Sequence, residues 1–376
     1  MRNTAVIIHV DNFLHNIQQI RNLVGPHVKI CASVKADAYG HGAVALARAA
    51  ERGGVEFLGI ACPEEGAELR NAGVQLPLLM YGLCLPQDIP RVVDLEISAV
   101  VADAEGIELF ARSAARQKKV ARLHLKIDTG MGRIGCTPQE AIPLVKRILA
   151  SPHLVLEGLA THFPISDVAD RSFTRKQIQQ FLDIVRELER EGIKAELLHA
   201  SNSGGILQYP EANLSMVRPG ILLYGYFPSR EVPREIPLKP VMELKATVLF
   251  LKKVPPGTPI SYGSTYRTPE TTTIATIGAG YADGYPRSLS NRGRVLIRNK
   301  CYPIVGRVTM DQIMVDVGKD PEVERYDEAV LFGPNPLGPS AEEVAELAGT
   351  ITYEITCGIN RRIPRHYLGG NIPGET

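Results

Sequence analysis

The stretch ISAVVADAEGIELFARSAARQKKVARLHLKID, residues 97–128, reads as a strand, a helix and a second strand in immediate succession. Ile97–Val101 is a short apolar run rich in β-branched residues, the pattern of a buried strand. AEGIELFARSAARQ follows with apolar residues at helical spacing, and residues 122–127 return to a strand-like run.

The same alternation extends in both directions. Strand runs are expected at residues 28–33, 55–61, 78–82, 97–101, 122–127, 154–161, 197–200 and 217–224, eight in all. Helical segments lie between them: AVALARAAERGG, EEGAELRNAG, QEAIPLVKRILA and RKQIQQFLDIVRELEREG. In the last, Ile178, Phe181, Leu182, Val185 and Leu188 form one apolar stripe before Gly192 stops it. Eight strand–helix units over this length predict a (β/α)8 TIM barrel, with a doubly wound open sheet as the alternative.

The rhythm stops where Pro228, Pro233, Pro237 and Pro240 fall among charged residues, as in an interdomain linker. Beyond it, ELKATVLFLKKV, TTIATIGAG, RVLIRNKCYPIVGRV, QIMVDVG and EAVLFG are strand-like. Only SAEEVAELAG reads as a helix, with a capping box from Ser340 to Glu343. The expected division is a barrel over residues 1–230 and a mostly-β domain over residues 231–376, consistent with a length of 376 residues and about 150 residues per domain.

Lys and Arg total 42 against 41 Asp and Glu, a net charge of +1 that lacks the basic excess of a nucleic-acid binder. No apolar run approaches the roughly 20 residues that span a bilayer. The start, MRNTAVIIHVDNFLHN, carries too short an apolar stretch for a secretory signal. Six cysteines are scattered without a CxxC pair, which argues against a zinc site and a disulfide scaffold. A cytoplasmic enzyme with no metal is expected.

Barrel active sites lie at the C-terminal ends of the strands. The first strand runs into SVKADAYGHG, and a partly desolvated lysine there can serve in Schiff-base chemistry. A surface lysine in a loop is the alternative for Lys35 taken alone. The fifth runs into KIDTGMGRIG, where Arg133 is suited to clamp a carboxylate. The sixth ends at Thr161-His162, although an isolated histidine is more often structural. HASNSGG after the seventh offers Ser203 before a helical segment, and VRPGI at the eighth offers the backbone N–H groups of Gly220 and Ile221. Barrels often bind phosphate at those last two loops. A mouth lysine together with a phosphate cradle points to pyridoxal phosphate.

At this point VKADAYGHG resembles the cofactor-attachment signature of alanine racemases. KIDTGMGRIG, THF, HASNSGG, VRPGILLYG, SYGSTYR, GYADGYPR, GRVTMDQ and TCGINRRIPR follow in that family's order, spanning residues 31–365. The resemblance implies a barrel that holds pyridoxal 5'-phosphate and a C-terminal domain that completes the partner's active site in a homodimer.

It also implies roles. Lys35 carries the cofactor. Tyr39, Ser203, Gly220 and Ile221 hold its phosphate, Arg218 faces the pyridine nitrogen, and His162 orients Arg218. Arg133 binds the substrate carboxylate, and Lys126 matches a lysine that is carbamylated in many members. Tyr262 matches a second base and Met310 a backbone contact to the carboxylate, both reaching the partner's site. Tyr281 and Tyr285 would line the entrance.

Two departures stand out. Arg361 occupies a position that is tyrosine in some members, and Thr309 one that is cysteine.

The implied reaction interconverts L-alanine and D-alanine by two bases on opposite faces, and D-alanine supplies peptidoglycan. A phenol works as a base only where cationic neighbours stabilise its phenolate, a task open to Arg133 or Arg361. Arg218 cannot accept a proton and so leaves the ring nitrogen unprotonated. It also disfavours decarboxylases of this architecture, which carry an acid there. A racemase for serine or a broader set of amino acids, and a non-catalytic pyridoxal phosphate carrier, are the rival readings.

Overall fold

The computed structural model describes residues 4–370, in two compact units. One comprises residues 14–38 and 43–238, the other residues 4–13, 39–42 and 239–370.

The first unit is the (β/α)8 barrel. Its strands are β2 (Lys29–Ser33), β3 (Phe57–Ile60), β4 (Leu78–Met80), β5 (Ile97–Val101), β6 (Ala121–Lys126), β7 (Leu154–Ala160), β8 (Leu197–His199) and β9 (Met216–Val217). All neighbours pair in parallel, in the order β8-β7-β6-β5-β4-β3-β2-β9. The ring closes through Ser215 N donating to Leu198 O and Arg218 N donating to Ser201 O, at 3.1 and 2.9 Å. Closure decides against the open sheet.

The helices of this unit include α3 (Ala43–Arg52), α4 (Pro63–Asn71), α5 (Ile89–Asp94), α6 (Ala104–Gln117), α7 (Ala141–Leu149), α8 (Ser172–Arg190) and α9 (Ser203–Gln208). The stripe expected on α8 is its buried face: Ile178, Phe181, Val185 and Leu188 are all buried. Cys31, Phe57, Leu79, Val100, Leu197 and Met216 form one apolar layer inside the barrel. The eighth strand is shorter than its sequence run: Pro219 and Gly220 end it, and Ile221–Tyr224 form a 3-10 turn instead.

The second unit is mostly β. Its strands are β1 (Ala5–His9), β10 (Met242–Val254), β11 (Pro259–Ile260), β12 (Tyr266–Arg267), β13 (Thr272–Ile277), β14 (Arg294–Ile297), β15 (Lys300–Pro303), β16 (Ile313–Gly318), β17 (Glu328–Phe332) and β18 (Arg365–Leu368). The assignment of residues 1–13 to the barrel is corrected here for the described residues 4–13; residues 1–3 lie outside the described residues. β1 lies between β10, antiparallel with Val6 opposite Leu244, and β18, parallel with Ile8 opposite Tyr367. It is followed directly by α1 (Val10–Val24).

Two helices complete the unit, α10 (Ala341–Ala348) and α11 (Thr352–Cys357), the second unannounced by the sequence. Ser340 caps α10 by accepting from Glu343 N. The reciprocal half of the box is replaced: the Glu343 carboxylate is bidentate on Arg294, at 2.7 Å for each bond. Among the described residues no helix is long and apolar enough to cross a membrane.

Candidate active site

The segment after β2 is not the loose loop its glycines suggest. It forms α2 (Lys35–Gly40), a left-handed turn in which Ala36, Asp37, Ala38 and Tyr39 have φ between 51° and 55°. Left-handed helix costs roughly 1–2 kcal/mol per residue for L-amino acids. Fixed polar contacts hold it. Ala36 N and Ala61 N donate to the two carboxylate oxygens of Glu65, at 2.7 Å each, and Ala43 N donates to Asp37 Oδ1 at 2.8 Å. Backbone strain is therefore concentrated immediately after Lys35. Tyr39 belongs to the second unit, its ring centroid 5.9 Å from that of Tyr353.

Arg218 follows β9 and is buried. Its Nη2 donates to Thr161 O at 2.8 Å and Ala200 O at 3.0 Å, and lies 3.4 Å from His162 Nδ1. Its Nη1 lies 2.6 Å from His199 Nδ1. The bonds to His199, Thr161 and Ala200 use three of the five guanidinium N–H groups, and among the described residues no acceptor is seen for the other two.

Lys126 ends β6 and is buried. Burial, and then the cations of Arg218 and Arg133, hold its ammonium well below the ordinary lysine range, with Asp128 opposing. His162 is likewise held well below the imidazole range, by burial and then by Lys126, Arg218, Arg133 and Lys35. Lys35, Lys126, Arg133 and Arg218 therefore all bear on the His162 ring.

The Arg133 loop is built on Asp128. Its carboxylate accepts from Gly130 N, Met131 N and Gly132 N, the last two at 2.8 and 2.9 Å. Gly135 is obligatory: a Cβ there would lie 2.6 Å from Asp128 N, and its φ is +138°. Arg133 itself is exposed. At the phosphate cradle, Gly220 N donates to Ser203 Oγ at 3.0 Å, and Ile221 opens the 3-10 turn, where N–H groups have no intrahelical acceptor.

In the second unit, Tyr262 and Met310 are 73% and 53% exposed, high values for large side chains with apolar bodies. Tyr262 sits between Ser261 and Ser264, both at positive φ. Thr309 closes the turn that carries Met310: its hydroxyl donates to Gln312 O and accepts from Gln312 N. Backbone bonds from Tyr281 N to Thr309 O and from Ala282 N to Met310 O, each 3.0 Å, join that turn to the Tyr281 segment. Arg362 bridges Asp283 and Asp311 beneath it, at 2.7 and 2.9 Å, while Arg361 is exposed.

Tyr285 is corrected. It is fully buried in the β unit beside Gly293 and Leu289, so it packs the core and lines no entrance. Tyr281, at 42% exposure, is available to do so. Three residues of the Arg218 surroundings were not singled out from sequence: His199, His124 and Glu157. The available signal was a histidine or glutamate inside an otherwise apolar strand run.

Residues 8–228 match the family described as "Alanine racemase, N-terminal domain", and residues 241–367 match "Alanine racemase, C-terminal domain". The chain is 46% identical to the alanine racemase of Treponema denticola, covering 99% of this chain and 100% of that one. It is 45% identical to that of Halothermothrix orenii, covering 98% of each. Among solved structures, alanine racemase from Clostridium difficile superposes with a TM-score of 0.94 at 38% identity, over 98% of this chain and 96% of that chain. Alanine racemase from Bacillus anthracis with bound L-Ala-P does so with a TM-score of 0.92 at 35% identity, over 100% and 98%. With both domains matched and the relatives covered end to end, the chain belongs to the alanine racemase family and is an enzyme that racemises alanine.

Proposed function

We propose that this racemisation uses pyridoxal 5'-phosphate carried by Lys35, in a homodimer whose two sites each draw Tyr262 and Met310 from the partner subunit. The observation that carries the cofactor reading is Arg218, buried and held on one side by Thr161 O, Ala200 O and His199, with two N–H groups uncommitted. A pyridine nitrogen is an acceptor that fits this donor set, and an arginine cannot protonate it.

Tyr39, Ser203, Gly220 and Ile221 would hold the phosphate, and His162, kept neutral, would flank Arg218. When bound, the cofactor supplies the electron sink that makes the alanine α-proton removable. Arg133 and the Met310 N–H would bind the carboxylate and hold the α-carbon in place. Lys35 would take the α-proton from D-alanine and, in the other direction, deliver the proton that forms D-alanine, and Tyr262 would do the same for L-alanine on the opposite face.

Lys126 would be carbamylated. Its neutral amine adds to carbon dioxide with loss of a proton, replacing a buried amine by an anion beside Arg133 and Arg218. The depressed ammonium favours that step. The D-alanine formed would enter peptidoglycan in the cytoplasm.

The test is α-proton exchange in deuterium oxide. Tyr262→Phe is expected to keep wash-out from D-alanine and lose it from L-alanine, and Lys35→Ala to lose both. Equal loss for the two enantiomers in Tyr262→Phe would overturn the assignment of the two faces.

A further inference from the structure

A buried polar chain runs through the barrel interior behind Arg218. His199 Nε2 lies 2.8 Å from Nδ1 of His124 on β6. His124 Nε2 lies 2.9 Å from Oε2 of Glu157 on β7. Ser98 Oγ on β5 donates to the same carboxylate oxygen, and Arg122 Nη1 is 3.5 Å from the other. His124 is fully buried and His199 nearly so. Barrel interiors are ordinarily filled by branched apolar side chains, and buried charge is costly.

The backbone is shaped around this chain. The β6–β7 register shifts between Leu123, opposite Leu156, and His124, opposite Gly158, so Glu157 is an extra residue in β7. A bulge of this kind re-aims a side chain, and here the carboxylate reaches the His124 ring. The next residue is glycine because a Cβ at Gly158 would lie 2.3 Å from His124 Nδ1 and 2.9 Å from Leu197 O.

One proton assignment satisfies every partner. A guanidinium only donates, so His199 Nδ1 accepts from Arg218 and its proton is on Nε2. That proton is donated to His124 Nδ1, which leaves the His124 proton on Nε2, donated to Glu157. Burial, then the Arg218 charge, keeps His199 neutral. Burial alone would raise the Glu157 carboxyl, but the hydrogen bonds from His124 and Ser98 and the charge of Arg122 act against it, and the group is held below its ordinary value.

We propose that His124 and Glu157 are positioning residues for Arg218: the carboxylate fixes both ring protons, so that His199 presents a lone pair to the guanidinium. With its proton on Nδ1, His199 would set N–H against N–H and turn Arg218 aside. The catalytic consequence rests on the placement of Arg218 at the cofactor nitrogen; the relay does not.

The experiment is nitrogen NMR on the holoenzyme labelled with 15N-histidine. In the wild type, His199 and His124 are expected to be protonated on Nε2 alone. A proton on Nδ1 of either ring overturns the proposal without any variant. Glu157→Gln retains an oxygen that can accept from His124 and is expected to keep both tautomers. Glu157→Ala is expected to mix the His199 tautomers and lower kcat about tenfold with little change in KM, the scale of one lost hydrogen bond to a charged group. A folded Glu157→Ala protein with a single unchanged tautomer also overturns it. Mixed tautomers with unchanged kcat uphold the relay and count instead against Arg218 at the cofactor.

Discussion

His199 shows what burial does to a single side chain here. In the folded chain its imidazole is held well below the ordinary range, first by burial and then by Arg218. An unfolded histidine titrates near 6.5. Below that pH the unfolded chain binds a proton that the folded chain refuses, so stability is lost as pH falls. The slope is at most about 1.4 kcal/mol per pH unit for one such group. His162 acts in the same direction. Urea midpoints measured between about pH 7 and pH 5.5 are expected to fall more steeply for the wild type than for His199→Gln. Equal slopes would place the acid sensitivity elsewhere. Lys35, Arg133, His162 and Arg218 could be proposed from sequence because each stands at a strand end within a specific motif. Glu157 was not, because its inward direction comes from a bulge that leaves no mark on apolar periodicity.

At the scale of elements, the barrel strands were readable because strands buried on both faces are apolar runs, and those runs recur. Their ends were less so. The run at residues 217–224 continues apolar while the chain changes from strand to 3-10 turn at Pro219 and Gly220. β1 escaped notice because its partners, β10 and β18, lie more than two hundred residues away and nothing local announces them. The left-handed turn of α2 was hidden for a related reason: Ala36, Asp37, Ala38 and Tyr39 do not favour positive φ, and Glu65 and Asp37 impose it through hydrogen bonds. The β6–β7 bulge gives a prediction at this scale. Gly158→Ala must displace the His124 ring or part β7 from β8, and is expected to destabilise the barrel by about 1–3 kcal/mol. Thermal unfolding checks this, and an unchanged midpoint would contradict the packing at that position.

For the whole molecule, the two compact units meet in sequence between residues 238 and 239, within the proline-rich stretch, and the segment up to Phe13 belongs to the β unit. The proposed sharing of sites between subunits has a direct consequence. Lys35→Ala and Tyr262→Phe each disable both sites of their own homodimer. Mixed and re-equilibrated, they form heterodimers in which one site has both wild-type residues, so about a quarter of wild-type activity is expected to return. No recovery, with heterodimers demonstrated, would mean that each chain builds its own site.

Polarimetry of the holoenzyme on a panel of L-amino acids follows the reaction itself. L-alanine is expected to lose its rotation completely, ending with equal amounts of both enantiomers as mirror-image symmetry requires, and L-serine and larger residues to turn over far more slowly. A cofactor-loaded protein that leaves L-alanine optically active, or one that racemises large side chains as fast as alanine, would contradict alanine racemisation as the reaction.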